Sequence, residues 1–425
     1  MKIGKWWTDF KSDELNRLVD SALQNNFSLQ TAQARLEKAK ASARKQQSRL
    51  FPSVDANADS SYQKNHSGTA SVESESASAG LAASYEVDLW GKIYSEIKAL
   101  SLSEKAARKD LEAAAVTVAA EITNTWIDLV AAKQRLALSL KIERQSKEQL
   151  EILKERFKNG IAKGSDVYEQ LKSLQSIRSD MESLNSEIDT LKNQLVFLTG
   201  EKGPDSLRLT TTGLPDLPDP PDPGIPADLL EARPDVKAAG LRLAASHKDI
   251  ETSRKDLLPK ISISADLSFQ SDDFSINWQD WLFNLAANLT APVFRGGKLK
   301  QEVRRSEAAR DEILYEYAGT VFEAVKEVRD ALIKQKHQQK VTELYSKRLK
   351  ASEAALFFAE LEYRNGSADY VSYIERWIAL KNLDLSLINN RSELFKYRVS
   401  LYRALGNSWA ENFTADALSK GSNEQ

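Results

Sequence analysis

Hydrophobic and polar positions follow two distinct rhythms along the chain. In the first, Ile261, Ile263, Ala265, Leu267 and Phe269 share one side of an extended segment while Ser262, Ser264, Asp266 and Ser268 occupy the other. A period of two marks a strand with one apolar and one polar face. Phe283 to Val293 repeats it, with Phe283, Leu285, Ala287 and Leu289 against Asn284, Asn288 and Thr290; Val54 to Tyr62 and Leu81 to Leu89 read the same way. Each segment is close to the ~10 residues of a membrane-spanning strand, and four strands cannot close a barrel, which begins at about eight. Several subunits are therefore expected to pool their strands. A pair of soluble hairpins is the alternative.

The second rhythm is helical. Ile177, Met181, Leu184, Ile188, Leu191, Leu195 and Leu198 step by alternating fours and threes, the spacing of a coiled-coil seam, and Ile374, Ile378, Leu385, Ile388, Phe395, Val399 and Tyr402 fall on the same lattice. From about Lys92 to Lys158 there is neither proline nor glycine, which predicts one uninterrupted helix of roughly 100 Å at 1.5 Å per residue. A globular core does not require so long a rod.

These elements occur twice. Phe51-Pro-Ser-Val-Asp-Ala-Asn-Ala-Asp recurs as Leu258-Pro-Lys-Ile-Ser-Ile-Ser-Ala-Asp, Arg156-Phe-Lys-Asn-Gly returns near Tyr363-Arg-Asn-Gly, and Leu198-Thr-Gly returns as Ala404-Leu-Gly. The common offset, 206 or 207 residues, is about half the chain and indicates a duplicated unit. Between the copies, Leu214-Pro-Asp-Leu-Pro-Asp-Pro-Pro-Asp-Pro-Gly-Ile-Pro predicts an extended, polyproline-like strap. The expected organisation is a first repeat over 1–213, a linker over 214–226, a second repeat over 227–412 and a polar tail over 413–425. The serine-rich stretch from Asn65 to Ala79 reads as loop or disorder.

Composition removes several function classes. Lys and Arg total 59 against 61 Asp and Glu, a net charge of −2 that offers no electrostatic case for nucleic acid. There is no cysteine, which excludes thiolate metal sites and disulfides; the three histidines, His66, His247 and His337, do not cluster. No cofactor is expected, and no nucleophile and base pair or phosphate-cradling loop suggests an enzyme. The longest nearly apolar run, Ala113 to Ala120, falls far short of the ~20 residues of a spanning helix, so any membrane segment must be a β-barrel. Met1 to Phe10 lack the apolar run of a signal peptide, and the chain is expected to be a trimmed precursor with Met1 added.

Residues 6 to 412 resemble the outer-membrane factor family, the TolC-like proteins, and especially the OprM-like efflux branch. The resemblance is carried by Trp6-Trp-Thr-Asp-Phe, Tyr85-Glu-Val-Asp-Leu-Trp-Gly, Arg233-Pro-Asp-Val, Ala291-Pro-Val-Phe-Arg-Gly-Gly and Tyr363-Arg-Asn-Gly, in this order and spacing. It implies a mainly α protein with a membrane β-barrel: a homotrimer whose long helical hairpins form an α-barrel and whose pooled strands form a twelve-stranded β-barrel. It also implies a passive duct across the periplasm and outer membrane, working with a periplasmic adaptor and an inner-membrane transporter in the lipid bilayer. A type I secretion duct is the closest alternative, and a soluble coiled-coil scaffold a weaker one. Many OprM-like proteins begin with a lipid-bearing cysteine; here that residue is either removed or never used.

The helical hairpins are expected to turn at Asn159 to Asp166 and Asn365 to Asp369, with glycine ending one helix and Ser165, Asp166 or Asp369 capping the next. In the resembled family these turns form the periplasmic tip, which places Gly160, Gly164, Gly366 and Asp369 toward the adaptor. Matching the motif places Val371 and Glu375 at the constriction and Asp166 and Tyr363 in closed-state contacts. A ring of like carboxylates on a symmetry axis repels itself and attracts cations, which suits a gate. The plainer alternative makes Asp166 and Asp369 helix caps and Glu375 a surface charge. Arg295-Gly-Gly reads as a strand-to-helix turn rather than an RNA-binding box, His337 as a solvated residue, and Trp278 and Trp281 as either an interfacial aromatic belt or simple packing.

Overall fold

The computed structural model describes residues 4–68, 70–221, 232–271, 279–406, 409–411 and 413. They form α1 (Asp13–Asn25), α2 (Phe27–Gln47), β1 (Ser53–Ser67), β2 (Ala70–Val87), α3 (Lys92–Lys158), α4 (Gly164–Thr199), α5 (Pro234–Lys255), β3 (Lys260–Ser271), β4 (Trp281–Thr290), α6 (Lys298–Arg364) and α7 (Tyr370–Ala404). The succession of one helix, two strands and two helices occurs twice, from α2 to α4 and from α5 to α7, as the duplication predicts. The expected linker is described only through Pro221, and of the expected tail only Phe413; Trp278 lies outside the described residues. Among those residues no helix is long and apolar enough to cross a membrane.

The chain divides into two compact units. One, Ala34–Lys109 with Lys237–Thr320, contains a four-stranded antiparallel sheet in the order β1-β2-β3-β4. The register aligns the apolar positions into five successive rows on one face: Val87–Ile261–Leu289, Tyr85–Ile263–Ala287, Ala83–Ala265–Leu285, Leu81–Leu267–Phe283 and Ala79–Phe269–Trp281. Ser84, Glu86, Ser262, Ser264, Asp266, Asn284 and Asn288 take the opposite parity. Leu282, Phe283, Leu285 and Leu289 on β4 are all exposed, and β1 and β4 each pair along one side only.

The stretch from Asn65 to Ala79 corrects the expectation of a loop. It is the distal part of the β1–β2 hairpin, paired from Ala58↔Ala79 to Asn65↔Val72. Both faces of this part are largely polar, so no amphipathic alternation reveals it; the backbone ladder holds it, helped by cross-strand pairs such as Lys64–Glu73 and Ser61–Ser76. At the other end of β2 the chain passes directly into α3. The Asp88 carboxylate accepts from the backbone N–H groups of Ile93 and Tyr94, both at 2.9 Å, and so caps the helix. The indole of Trp90 donates to the Pro259 carbonyl at 2.7 Å, tying this corner to the start of β3.

The second unit, Met1–Gln33, Asp110–Val236 and Val321–Gln425, holds the main apolar core. Trp6 stacks on Tyr402 at 5.3 Å, Trp7 meets Trp409 edge-on at 4.7 Å, and Phe10 lies 5.9 Å from Phe395. One carboxylate is buried near this core. Glu14 accepts from the Trp126 indole (2.8 Å) and the backbone N–H groups of Thr210 (2.6 Å) and Thr211 (2.9 Å). Burial pushes its pKa up, but these donors outweigh burial and hold the carboxyl below its ordinary value.

Equivalent corners of the two halves close alike. Gly200 and Gly406 end α4 and α7 with φ of +67° and +79°, and a Cβ on either would lie 2.8 Å from backbone, of Asn25 and Ala232 respectively. Only glycine satisfies both the left-handed turn and the close approach. In the first half the buried Asn26 donates to the Leu198 carbonyl at 2.8 Å; in the second, Arg233 donates to the Ala404 carbonyl at 3.1 Å. Arg233 also pairs with Asp235 at 2.6 Å and Glu327 at 2.8 Å.

Candidate functional site

The two hairpin turns are built by the same backbone bonds. In the first, Gly160 N–H donates to Phe157 (3.0 Å) while Ile161 and Ala162 both donate to the Arg156 carbonyl (2.8 and 3.3 Å). In the second, Gly366 donates to Tyr363 (3.1 Å) while Ser367 and Ala368 donate to the Glu362 carbonyl (3.0 and 3.3 Å). Gly160 and Gly366 are left-handed, at φ +72° and +74°. What differs is the cap on the following helix. Lys163 N–H donates to Asp166 Oδ2 at 3.2 Å at the start of α4, whereas Ser372 N–H donates to Asp369 Oδ1 at 2.8 Å at the start of α7. The Ser372 hydroxyl and its backbone N–H hold the Asp369 carboxyl below its usual range.

Behind the turns, side chains of all four helices converge. Ile142, Leu153, Tyr370, Ile374 and Trp377 form a buried cluster, flanked by Val167, Ile177, Tyr363 and Tyr373. Gln170, fully buried, donates to the carbonyl and hydroxyl of Ser146 at 2.8 and 2.9 Å and accepts from the Tyr370 hydroxyl at 2.7 Å. Burial raises the Tyr370 pKa well above the ordinary phenol range, so it stays a neutral donor. The Tyr363 ring stacks on Tyr373 at 5.8 Å, with the Arg156 guanidinium 5.2 Å from its centroid and donating to its hydroxyl.

Among the expected site residues, the structure brings Val371 and Glu375 together. Both are exposed, one turn apart on α7, and both border a groove of about 560 Å³ between α4 and α7 with Glu169, Ser173, Ile177 and Trp377. Asp166 and Tyr363 are not joined by any hydrogen bond among the described residues: Asp166 serves as a cap and Tyr363 is held by Arg156. Gly160, Gly164, Gly366 and Asp369 lie at the two turns. Sequence reading missed Gln170, Tyr370 and the Arg156–Tyr363 contact, because a pairing across 207 residues leaves no local periodicity. Only the repeated Arg156-Phe-Lys-Asn-Gly and Tyr363-Arg-Asn-Gly motifs pointed toward them. Among the described residues no group of three or more His, Asp or Glu is placed to hold a metal.

The sheet thus has one apolar face and two unpaired edges, and each half contributes a 67-residue helix. The chain belongs to the outer membrane efflux protein family, whose profile matches residues 18–201 and, a second time, 225–407. It is similar to the pyoverdine export outer membrane protein OpmQ of Pseudomonas aeruginosa, with 28% identity over 96% of this chain and 88% of that one. It is also similar to outer membrane protein OprJ of the same organism, with 29% identity over 95% of this chain and 86% of that one. Among solved structures, the outer-membrane channel OprN superposes with a TM-score of 0.89 at 26% identity, covering 96% of this chain and 94% of that one. The protein is thus an outer-membrane component of efflux machinery.

Proposed function

We propose that three copies of this chain form a passive exit duct, performing no chemistry, that works with a periplasmic adaptor and an inner-membrane transporter. The observation that carries the reading is the open sheet. Its outer strands β1 and β4 each leave one edge unpaired, and its apolar face is exposed along β4 and mostly half-buried on β2 and β3, a state that bilayer and barrel closure together relieve. Three copies supply twelve strands, the number the family resemblance implies. A second feature supports assembly: Phe322, Ile333, Leu344 and Phe358 are 76%, 56%, 60% and 63% exposed. At 100° per residue they fall within about 40° of one another on α6, a stripe suited to a neighbouring helix. The two repeats, 1–213 and 227–412 joined through 214–226, would then contribute equivalent hairpins to one ring.

In this assembly Val371 and Glu375 line the constriction, Asp166 and Tyr363 take part in the closed state, and the turns with Gly160, Gly164, Gly366 and Asp369 meet the adaptor. The exposed, one-turn spacing of Val371 and Glu375 supports that role. Replacing both with small neutral residues is expected to raise single-channel conductance in planar bilayers and to weaken cation selectivity. Unchanged conductance and selectivity would remove both residues from the gate. A monodisperse monomer in detergent-free buffer by light scattering would overturn the duct itself.

A further inference from the structure

The turn from β4 into α6 has a surface that the duct reading leaves unused. Val293 is 95% exposed and Phe294 88%, the two highest values among the exposed large apolar side chains of the described residues. They follow Leu289, which closes the last apolar row, Val87–Ile261–Leu289, at the end of the sheet where its strands join the helices. Three cations come next, Arg295, Lys298 and Lys300, all exposed. No salt bridge joins any of them to an acid among the described residues; the carboxylate nearest along the helix from Lys298, Glu302, is bonded to Arg305 and feels Lys298 only through its charge. Three other cations around this end are already engaged. Lys92 pairs with Asp256 at 2.6 Å, Arg49 holds Glu86 and Glu96, and Lys255 donates to the Gly91 carbonyl and the Ser95 hydroxyl.

Depth indicates what these residues meet. Five rows at ~6.8 Å per interval span ~27 Å along the strands, or ~21 Å at a tilt of about 40°, slightly less than the ~25 Å apolar band of an outer-membrane barrel. Val293 and Phe294 lie four and five residues past Leu289, beyond the end of β4, and so reach at most roughly 10–13 Å further, the headgroup level of the periplasmic leaflet. A ring beside cations that form no salt bridge, at that depth, matches an amphiphile with an anionic head. A contact with a second copy of the chain would bury Phe294, but gives no reason for three unpaired cations.

We propose that residues 293–300 form a binding site for an anionic phospholipid of the periplasmic leaflet. Val293 and Phe294 enter the first segment of the acyl region, and Arg295, Lys298 and Lys300 hold the phosphate. The inference rests on the sheet spanning the outer membrane.

Native mass spectrometry of the full-length channel in detergent, titrated with dioleoylphosphatidylglycerol or dioleoylphosphatidylcholine, tests it. The wild type is expected to retain phosphatidylglycerol in preference to phosphatidylcholine. Each neutralised cation is expected to weaken retention about fivefold, so R295Q/K298Q/K300Q should lose on the order of a hundredfold. V293S/F294S should weaken both lipids. Inorganic phosphate at millimolar concentration should not compete, because it lacks the acyl chains. Equal retention of the two lipids, unchanged phosphatidylglycerol binding by the triple variant, displacement by phosphate, or no lipid adduct on the wild type would each overturn the proposal. These variants alter exposed side chains, and a heat-modifiable oligomer on semi-native gels confirms that they fold. A wild type that is extracted without detergent would instead overturn the membrane reading beneath it.

Discussion

The long helices α3 and α6 occupy the same place in their repeats and have the same length of 67 residues, yet they live in different surroundings. Val116 and Ile127 on α3 are 5% and 0% exposed; their counterparts 206 residues later, Phe322 and Ile333 on α6, are 76% and 56% exposed. Along its whole length α6 buries only Ala324, Val328, Ala331, Gln335 and Ala359. Duplication has therefore kept the backbone instructions, the glycine turns and helix lengths, while the two copies of one apolar stripe were assigned different partners. The first is buried inside the chain at Val116 and Ile127, although Ile152, the counterpart of Phe358, stays 60% exposed. The second remains open, and in the proposed trimer a neighbouring subunit covers it.

The corner held by Arg233 gives one test of this asymmetry. Arg233→Ala removes the cation between Asp235 and Glu327 and is expected to cost about 3 kcal/mol, the low end for breaking a buried pair because both carboxylates keep partial access to water. Asn26→Ala, at the matching corner, loses the bond to Leu198 and the cap on Ser28 and Leu29, for about 1–2 kcal/mol. Denaturant unfolding of the two variants measures the gap; equal costs would mean that the corners are interchangeable.

A contrast at least as large is expected along the helices themselves. Ile127→Ala should destabilise the folded chain by about 2–4 kcal/mol through the cavity it leaves. Ile333→Ala should leave intrachain unfolding within ~0.5 kcal/mol but shift the oligomer toward monomer in light scattering at low protein concentration. If both variants behave alike, α6 does not have the unfilled stripe that distinguishes it from α3.

The smallest effect concerns Glu14, which belongs to the first half's closed core. Its folded pKa lies below the ordinary carboxylate value, so the stability it confers is fully present above that ordinary range and is lost as pH falls through the depressed folded value. Glu14→Gln is expected to lower the melting temperature at pH 7 by a few degrees, equivalent to about 1–2 kcal/mol. The difference from the wild type should shrink as the pH is taken below 4. A difference that is flat in pH would show that the carboxylate does not retain its charge on folding.

Local patterns explain what was legible beforehand. The seam from Ile177 to Leu198, the alternation from Ile261 to Phe269 and the repeated glycine turns are written over a few residues each, and all three appear as expected. The distal β1–β2 hairpin was not legible because neither of its faces is apolar, so only backbone pairing specifies it. The region of the hairpin turns was half legible. That Val371 and Glu375 share one helix face follows from their spacing, whereas Gln170 beneath Tyr370 and Arg156 against Tyr363 depend on which helices meet, and nothing near them in sequence records that.

The same distal hairpin has a practical consequence for anyone wishing to follow the channel in living cells. It pairs beyond the last contact of β2 with β3, Ala77↔Ser271, and turns at Gly68, around which a Cβ would meet nothing within 4 Å. An insertion at this turn perturbs neither the core nor the apolar rows, which makes it the natural place for a short epitope or a single reactive cysteine in a chain that has none. In the proposed duct the opposite end of the sheet faces the periplasm, so such a label would be reachable by membrane-impermeant reagents on intact cells, and its accessibility would report assembly without breaking the envelope.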